Sequence, residues 1–193
     1  MPNVVPLLGE NRVIVDKGLK ILHNPKRIGI RAVMEVAGVL DKPLSASTIA
    51  FSIAPRLNAA GRLGSAATAV ELLLTNDESR ARELALLLDT ENKERQQTER
   101  QIFDEALELI AKDPNFEKKK VIVLAQENWH QGVIGIVASR LCDMYYKPCI
   151  LISHTNGVGK GSGRSIKGFN LFDALSIAKN SLLISAVTQW RQD

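Results

Sequence analysis

The chain has 193 residues, 45% of them hydrophobic and 24% charged, which is ordinary usage for a folded protein and excludes a disordered or collagen-like chain. No apolar run approaches the roughly 20 residues that cross a bilayer, and the N-terminus lacks the basic-then-apolar pattern of a secretory signal, so a cytoplasmic protein with no membrane partner is expected. A net charge of +4 fits a phosphate-bearing partner without demanding one, because so mild an excess is common in proteins that never meet nucleic acid.

From Asn11 to Leu74, apolar residues such as Ile28, Val33, Val36 and Ala37 recur at helical spacings, with breaks at His23-Asn24-Pro25 and Asp41-Lys42-Pro43. Several short packed helices are predicted. Pro55-Arg56-Leu57-Asn58-Ala59-Ala60-Gly61-Arg62 is expected to form a loop between two of them. On it, Arg56, Asn58 and Arg62 either contact a backbone phosphate or serve the structure, the arginines pairing with carboxylates. Thr75-Asn76-Asp77-Glu78 has capping-box spacing, and the lack of proline and glycine from there to Asp113 predicts one long helix. Its centre, from Thr90 to Arg100, holds no apolar residue, whereas Leu84, Leu87 and Leu88 precede it and Ile102, Phe103, Leu107 and Ile110 follow. Such a helix is expected to bridge two domains through solvent, supported by i,i+4 pairs such as Glu91 with Arg95. An exposed stretch of an ordinary surface helix is the alternative.

After Pro114 the period changes. Val121 to Ala125 is an apolar run of strand length, Val133 to Leu141 reads as a buried helix, and Pro148 to Ile152 is a second strand-like run. Strand, helix, strand in that order predicts a βαβ unit with parallel strands. Gly157 to Ser165 supplies a turn into another extended segment, and Asn170 to Lys179 a final helix with Leu171, Leu175 and Ala178 on one side. The fold class is therefore α/β, with domains expected at residues 1–75 and 114–193 and a connecting helix at 76–113. Cys142 and Cys149 lack the spacing of a zinc or redox motif and are expected to be small buried apolar residues.

The segment Gly-Val-Gly-Lys-Gly-Ser-Gly-Arg-Ser, from Gly157 to Ser165, puts bare backbone beside an arginine and reads as an anion cradle. Arg164 offers a planar fork that matches two phosphate oxygens and keeps its charge at any relevant pH. A hairpin turn with nothing bound is the alternative for the same glycines. The Gly-x-Gly-x-x-Gly spacing fails, since Ser162 and Arg164 occupy its last position in the two registers, and no Gly-Lys-Ser or Gly-Lys-Thr exists. His130 and Gln131 fall where a strand gives way to a helix, a place that favours anions. There His130 either donates to a phosphate oxygen or assists proton transfer, or it is a partly buried structural histidine beside Trp129. Together the three segments suggest one polar site. No cluster of aspartates and histidines is present to hold a catalytic metal.

Three stretches carry a family resemblance: Pro55 to Leu63, Trp129-His130-Gln131-Gly132-Val133-Ile134-Gly135-Ile136-Val137-Ala138, and Gly161-Ser162-Gly163-Arg164-Ser165 followed by Phe169-Asn170-Leu171. In order and spacing the chain resembles the RecJ exonucleases of the DHH phosphoesterase superfamily, from Val4 to about Lys179. The resemblance implies 5′ to 3′ hydrolysis of single-stranded DNA in repair and recombination, with Mn²⁺ or Mg²⁺ as cofactor in the intact family member. It implies a metal-holding DHH domain and a DHH-associated domain, DHHA1, that binds phosphate and strand. His130 and Arg164 would then belong to the phosphate-binding face, with His130 as the catalytic candidate. Gly161, Ser162, Gly163 and Ser165 would support Arg164, and Asn58, Arg62 and Arg56 would contact DNA. The chain departs from the family in having no Asp-His-His, since His23, His130 and His154 follow Leu22, Trp129 and Ser153. It also runs from Ser181 to Asp193 without the Gly-Gly-His segment of the family. An internal piece or a shifted reading frame is therefore expected, with strand binding retained, no metal held by its motifs and no hydrolysis by the chain alone. The alternatives are a DHH phosphoesterase for short oligonucleotides or cyclic dinucleotides, and a non-catalytic interaction module.

Overall fold

Helices separated by proline- or glycine-bearing turns build the N-terminal half, as the apolar spacing predicts. They are α1 (Gly9–Leu22), α2 (Ile28–Val36), α3 (Ala46–Thr48), a π-helical segment (Ile49–Ile53), α4 (Ala54–Leu63) and α5 (Ala66–Leu74). A long helix, α6 (Glu78–Ala111), follows, and then a 3₁₀ turn (Phe116–Lys118), β1 (Ile122–Glu127), α7 (Ile134–Tyr145), β2 (Cys149–Thr155), β3 (Val158–Arg164) and α8 (Leu171–Ile177). The computed structural model describes residues 6–177, which divide within α6 into two units, the first reaching Thr98 and the second starting at Glu99. The tail from Ser181 to Asp193, read in the sequence as a departure from the family, lies outside the described residues.

In the first unit, Val33 and Met34 of α2, Leu72 of α5, and Leu84, Ala85 and Leu88 of α6 form the core, all essentially out of water. α2 and α5 approach so closely that a Cβ on Gly29 would lie 1.7 Å from the Leu72 carbonyl oxygen, a position only glycine can hold.

The stretch from Pro55 to Arg62, expected as a loop, is instead the body of α4. Proline is tolerated there because it sits at the start of the α-helix, where its missing N–H has no partner to satisfy. The wider π turn just before it, Ile49–Ile53, relieves the clash a proline ring makes with the carbonyl four residues back.

Helix α6 begins at Glu78 rather than at Thr75, because the capping side chain is Asp77, whose Oδ1 accepts from the amides of Ser79 and Arg80 at 2.8 and 3.1 Å. At and just before its polar centre the helix is not bathed in water on every side, since Asp89 is 6% exposed and Asn92 only 3%. Arg56 Nε donates to Asp89 Oδ1 at 2.8 Å, and Lys93 Nζ lies 2.8 Å from the other oxygen. Arg95 donates to Asn92 Oδ1 at 3.1 Å. Hydropathy misses such burial because it scores each residue alone, while here polar groups are buried as pairs.

The second unit holds the predicted βαβ element. β1 pairs with β2 in parallel, Ile122 opposite Cys149, and α7 crosses between them and packs on β2 and β3. β2 turns back into antiparallel β3 through Asn156 and Gly157, both with positive φ, the backbone that a tight hairpin turn requires. Val133, Ile134, Val137 and Leu141 of the α7 segment meet Cys149 and Leu151 of β2 in a dry core. α8 is capped by Asn170, whose Oδ1 accepts from the amides of Phe172 and Asp173.

Replacing Arg56 with methionine should strand the Asp89 carboxylate in the interior and lower stability by about 3 kcal/mol, with the Arg56→Met/Asp89→Leu pair recovering most of it. Urea unfolding checks this, and a loss below about 1 kcal/mol would show that Lys93 alone suffices.

Candidate functional site

Alternation along β3 decides which of its residues can do chemistry. Ser162 and Arg164 point to the face covered by α7, while Gly161 and Gly163 lie on the other face, paired with Ile152 and Ile150 of β2. A Cβ at Gly163 would sit 2.7 Å from Leu171 Cδ2, so this glycine serves the approach of α8. The glycines therefore do not converge on an anion, as the cradle reading expected; they are strand residues held in an extended ladder with β2.

Arg164 is an exposed residue with a built seat. Its Nε donates to Ser139 Oγ at 3.0 Å, and its Nη1 donates to Ser162 Oγ at 3.2 Å and to the Gly163 carbonyl at 2.7 Å. Ser139 passes the chain on by donating to the Gly135 carbonyl at 3.1 Å. Gly135 itself is the enabling gap, because a Cβ there would lie 2.8 Å from Ser162 Oγ and 2.9 Å from Arg164 Nη2. The guanidinium thus rests against the first turn of α7. That turn already carries positive partial charge from its amides, so two potentials of one sign are focused where an anion would neutralise both.

His130 meets the same turn from the preceding loop. Its carbonyl accepts from Val133 and Ile134 at 2.9 and 3.1 Å, and its ring Nδ1 accepts from the Gly132 amide at 3.1 Å. In the neutral ring that contact leaves the proton on Nε2, an exposed donor. Trp129, only 4% exposed, is turned inward, and its Nε1–H donates to Glu105 Oε2 at 2.7 Å. The structure therefore brings His130, Ser162 and Arg164 to one helix start.

The other expected residues fare differently. The Ser165 hydroxyl donates to the Phe169 carbonyl at 2.6 Å, which ties the turn after β3 and uses its proton internally. Arg56 is committed to Asp89, the carboxylate pairing that the sequence held open as an alternative. Asn58 and Arg62 are exposed one turn apart on α4, with Gly61 between them leaving open space where a side chain would stand. Gly135 and Ser139 were missed. Their spacing of four places them on one face of α7, but nothing in the sequence says that this face meets β3. Among the described residues, no group of three or more His, Cys, Asp or Glu is placed to hold a metal ion.

Comparison with known proteins gives a consistent picture. Residues 118–182 match the DHHA1 domain family. The single-stranded-DNA-specific exonuclease RecJ of Bacillus subtilis is 41% identical over 182 residues, 93% of this chain and 23% of that protein. RecJ of Haemophilus influenzae is 43% identical over 177 residues, 90% of this chain and 31% of its own length. The crystal structure of Thermus thermophilus RecJ in complex with Mg²⁺ superposes with a TM-score of 0.81 at 37% identity, over 94% of this chain and 28% of that one. The same protein with Mn²⁺ gives 0.80. The chain thus spans about a quarter to a third of the length of the relatives it matches.

Both thiols are buried behind this site. Burial pushes Cys149 from the usual 9.0 up to about 12, with Cys142 adding to the rise and the Arg164 charge opposing it. Cys142 is raised as well, by burial first and then by Asp143. Because the folded state keeps the Cys149 proton to higher pH than the unfolded chain does, its contribution to stability is complete below about pH 9 and is lost as pH rises toward 12. Unfolding measured across that window should show a steeper loss in the unsubstituted chain than in Cys149→Ala; equal slopes would contradict the assignment.

Proposed function

The chain belongs to the RecJ family, and from that premise we propose that it is the strand-gripping part of a single-stranded-DNA exonuclease, binding the sugar-phosphate backbone without hydrolysing it alone. The observation that carries this reading is the seat of Arg164: a guanidinium preset by two serine hydroxyls and a carbonyl, laid against a helix start by a glycine. A preset guanidinium loses little rotamer freedom on binding, and its charge is held where a phosphate oxygen can meet it. Ser162 shares the phosphate. His130 donates its Nε2–H to a second oxygen of the same group or of its neighbour, and holds the proton on that atom because Nδ1 is occupied by Gly132. Asn58 and Arg62 on α4 add backbone contacts. None of these groups reads a base edge, so strand choice rests on charge and on the shape of a single strand.

A division into residues 1–75, a connecting helix at 76–113 and a DHHA1 domain from 114 onward is part of the same proposal. Phosphodiester hydrolysis in the intact enzyme would use Mn²⁺ or Mg²⁺, which polarises phosphate and activates water when bound. Its ligands are not among the described residues, so this part supplies positioning and the cytoplasmic enzyme as a whole supplies cutting. That the relatives are named for single-stranded DNA favours long strands over dinucleotides as the substrate.

Binding of oligodeoxythymidylate should weaken steeply with salt, and Arg164→Ala should cost about 1.5–3 kcal/mol of affinity and flatten the salt slope by about 0.7. Unchanged affinity would remove Arg164 from the site, and degradation of the strand by the purified chain with Mn²⁺ would overturn the division between binding and cutting. Gly135→Ala should leave the fold intact, since alanine favours helix and the atoms it meets are side-chain ends, yet lower affinity about tenfold by displacing Arg164. Thermal melting and the same binding titration distinguish the two effects.

A further inference from the structure

The loop that presents His130 has one fixed point. β1 ends at Glu127, Asn128 takes a left-handed backbone with φ of 63°, and the chain then turns Trp129 inward and His130 and Gln131 outward before α7 begins. The single polar atom of the Trp129 ring is its Nε1–H, and in an almost fully buried ring that donor needs an acceptor. Glu105 on α6 provides it at 2.7 Å through Oε2. The other oxygen of Glu105 accepts from Gln101 Nε2, one helical turn earlier, at 2.9 Å, so the carboxylate is oriented before it meets the indole. A second contact clamps the same part of α6 to α7: Arg140 pairs with Glu99 at 3.1 Å and lies over the Phe103 ring at 3.9 Å from its centre. Helix α6 in the second unit is therefore braced, and Glu105 projects from a firm base.

We infer that Glu105 is a positioning residue for the phosphate site, setting through Trp129 where His130 presents its Nε2–H. It touches no phosphate. Its effect travels through two adjacent residues: the indole is pinned, the next Cα is thereby placed, and the imidazole is turned by its own contact with the Gly132 amide. Without the acceptor, the indole N–H would be drawn toward water and the loop would move with it. The inference deepens the strand-binding reading and rests on it for its consequence, though the geometric part stands independently.

Three variants of the full chain test it: Glu105→Leu, which removes the acceptor; Trp129→Phe, which removes the donor while keeping a buried ring; and Glu105→Gln, which retains an accepting oxygen. Oligodeoxythymidylate affinity at low salt should fall about five- to tenfold in the first two and stay within about twofold in the third. The magnetic resonance signals of the His130 ring and the Gly132 amide should shift in the first two, while that of Ser139, on the Arg164 side, stays in place. A well-dispersed spectrum shows that each variant is folded. Binding unchanged in both Glu105→Leu and Trp129→Phe would overturn the inference, as would Glu105→Gln proving as weak as Glu105→Leu. Should the unsubstituted chain fail to bind the strand, the strand-binding reading falls, and the His130 and Gly132 signals alone decide the positioning role: movement supports it and immobility overturns it.

Discussion

A helix charged along most of its length is held in a protein only where its carboxylates find partners, and two of the contacts that α6 makes reach inward, one in each unit. Asp89 takes the half-buried guanidinium of Arg56, and Glu105 takes the indole N–H of Trp129. Each contact is only partly open to water, which strengthens the attraction and makes an unpaired partner costly. Each also lies beside a segment with proposed strand-binding side chains: α4, with Asn58 and Arg62, in the first unit, and the loop of His130 in the second. The polar residues that make α6 look like a bare connector are thus also its fastenings.

At the start of α7 the chemistry is assembled by subtraction as much as by addition. Arginine is not a natural neighbour for a helix N-terminus, where the backbone is already electropositive. The structure nonetheless brings Arg164 there by omitting a side chain at Gly135 and supplying hydroxyls from Ser139 and Ser162. Such an arrangement is poorly matched to a neutral or cationic ligand and well matched to phosphate. The cysteines nearby stay protonated in spite of it: Cys149 lies opposite Arg164 in the ladder, yet burial outweighs that positive charge.

Much of this was legible in the residues. The long helix followed from the absence of proline and glycine between Asp77 and Asp113, and the βαβ element from apolar runs of strand and helix length. What failed did so for identifiable reasons. Pro55 and Gly61 argued for a loop, but proline at a helix start costs little and a glycine with open space around it does not break a helix that packs through Ala59 and Ala60. The four glycines from Gly157 to Gly163 suggested a cradle, yet all but the first are strand residues. Local composition marks backbone freedom without saying whether that freedom serves a turn, a ligand or a neighbouring side chain. Arg56 and Arg62 belong to one motif and look equivalent, but one is half-buried against Asp89 and the other exposed, because a helix sends residues six apart to different faces.

The wide turn at Ile49–Ile53 has a consequence for how this segment can tolerate changes in length. A π turn is an α-helix that has absorbed one extra residue, and everything downstream is rotated by about 100° relative to an uninterrupted spiral. Deleting a single residue there would restore regular winding and leave the composition almost untouched. It would also leave Asn58 and Arg62 on the outer surface, because the loss of one residue and the loss of the wide turn offset each other. The wide turn therefore buffers the phasing of this surface against the loss of one upstream residue.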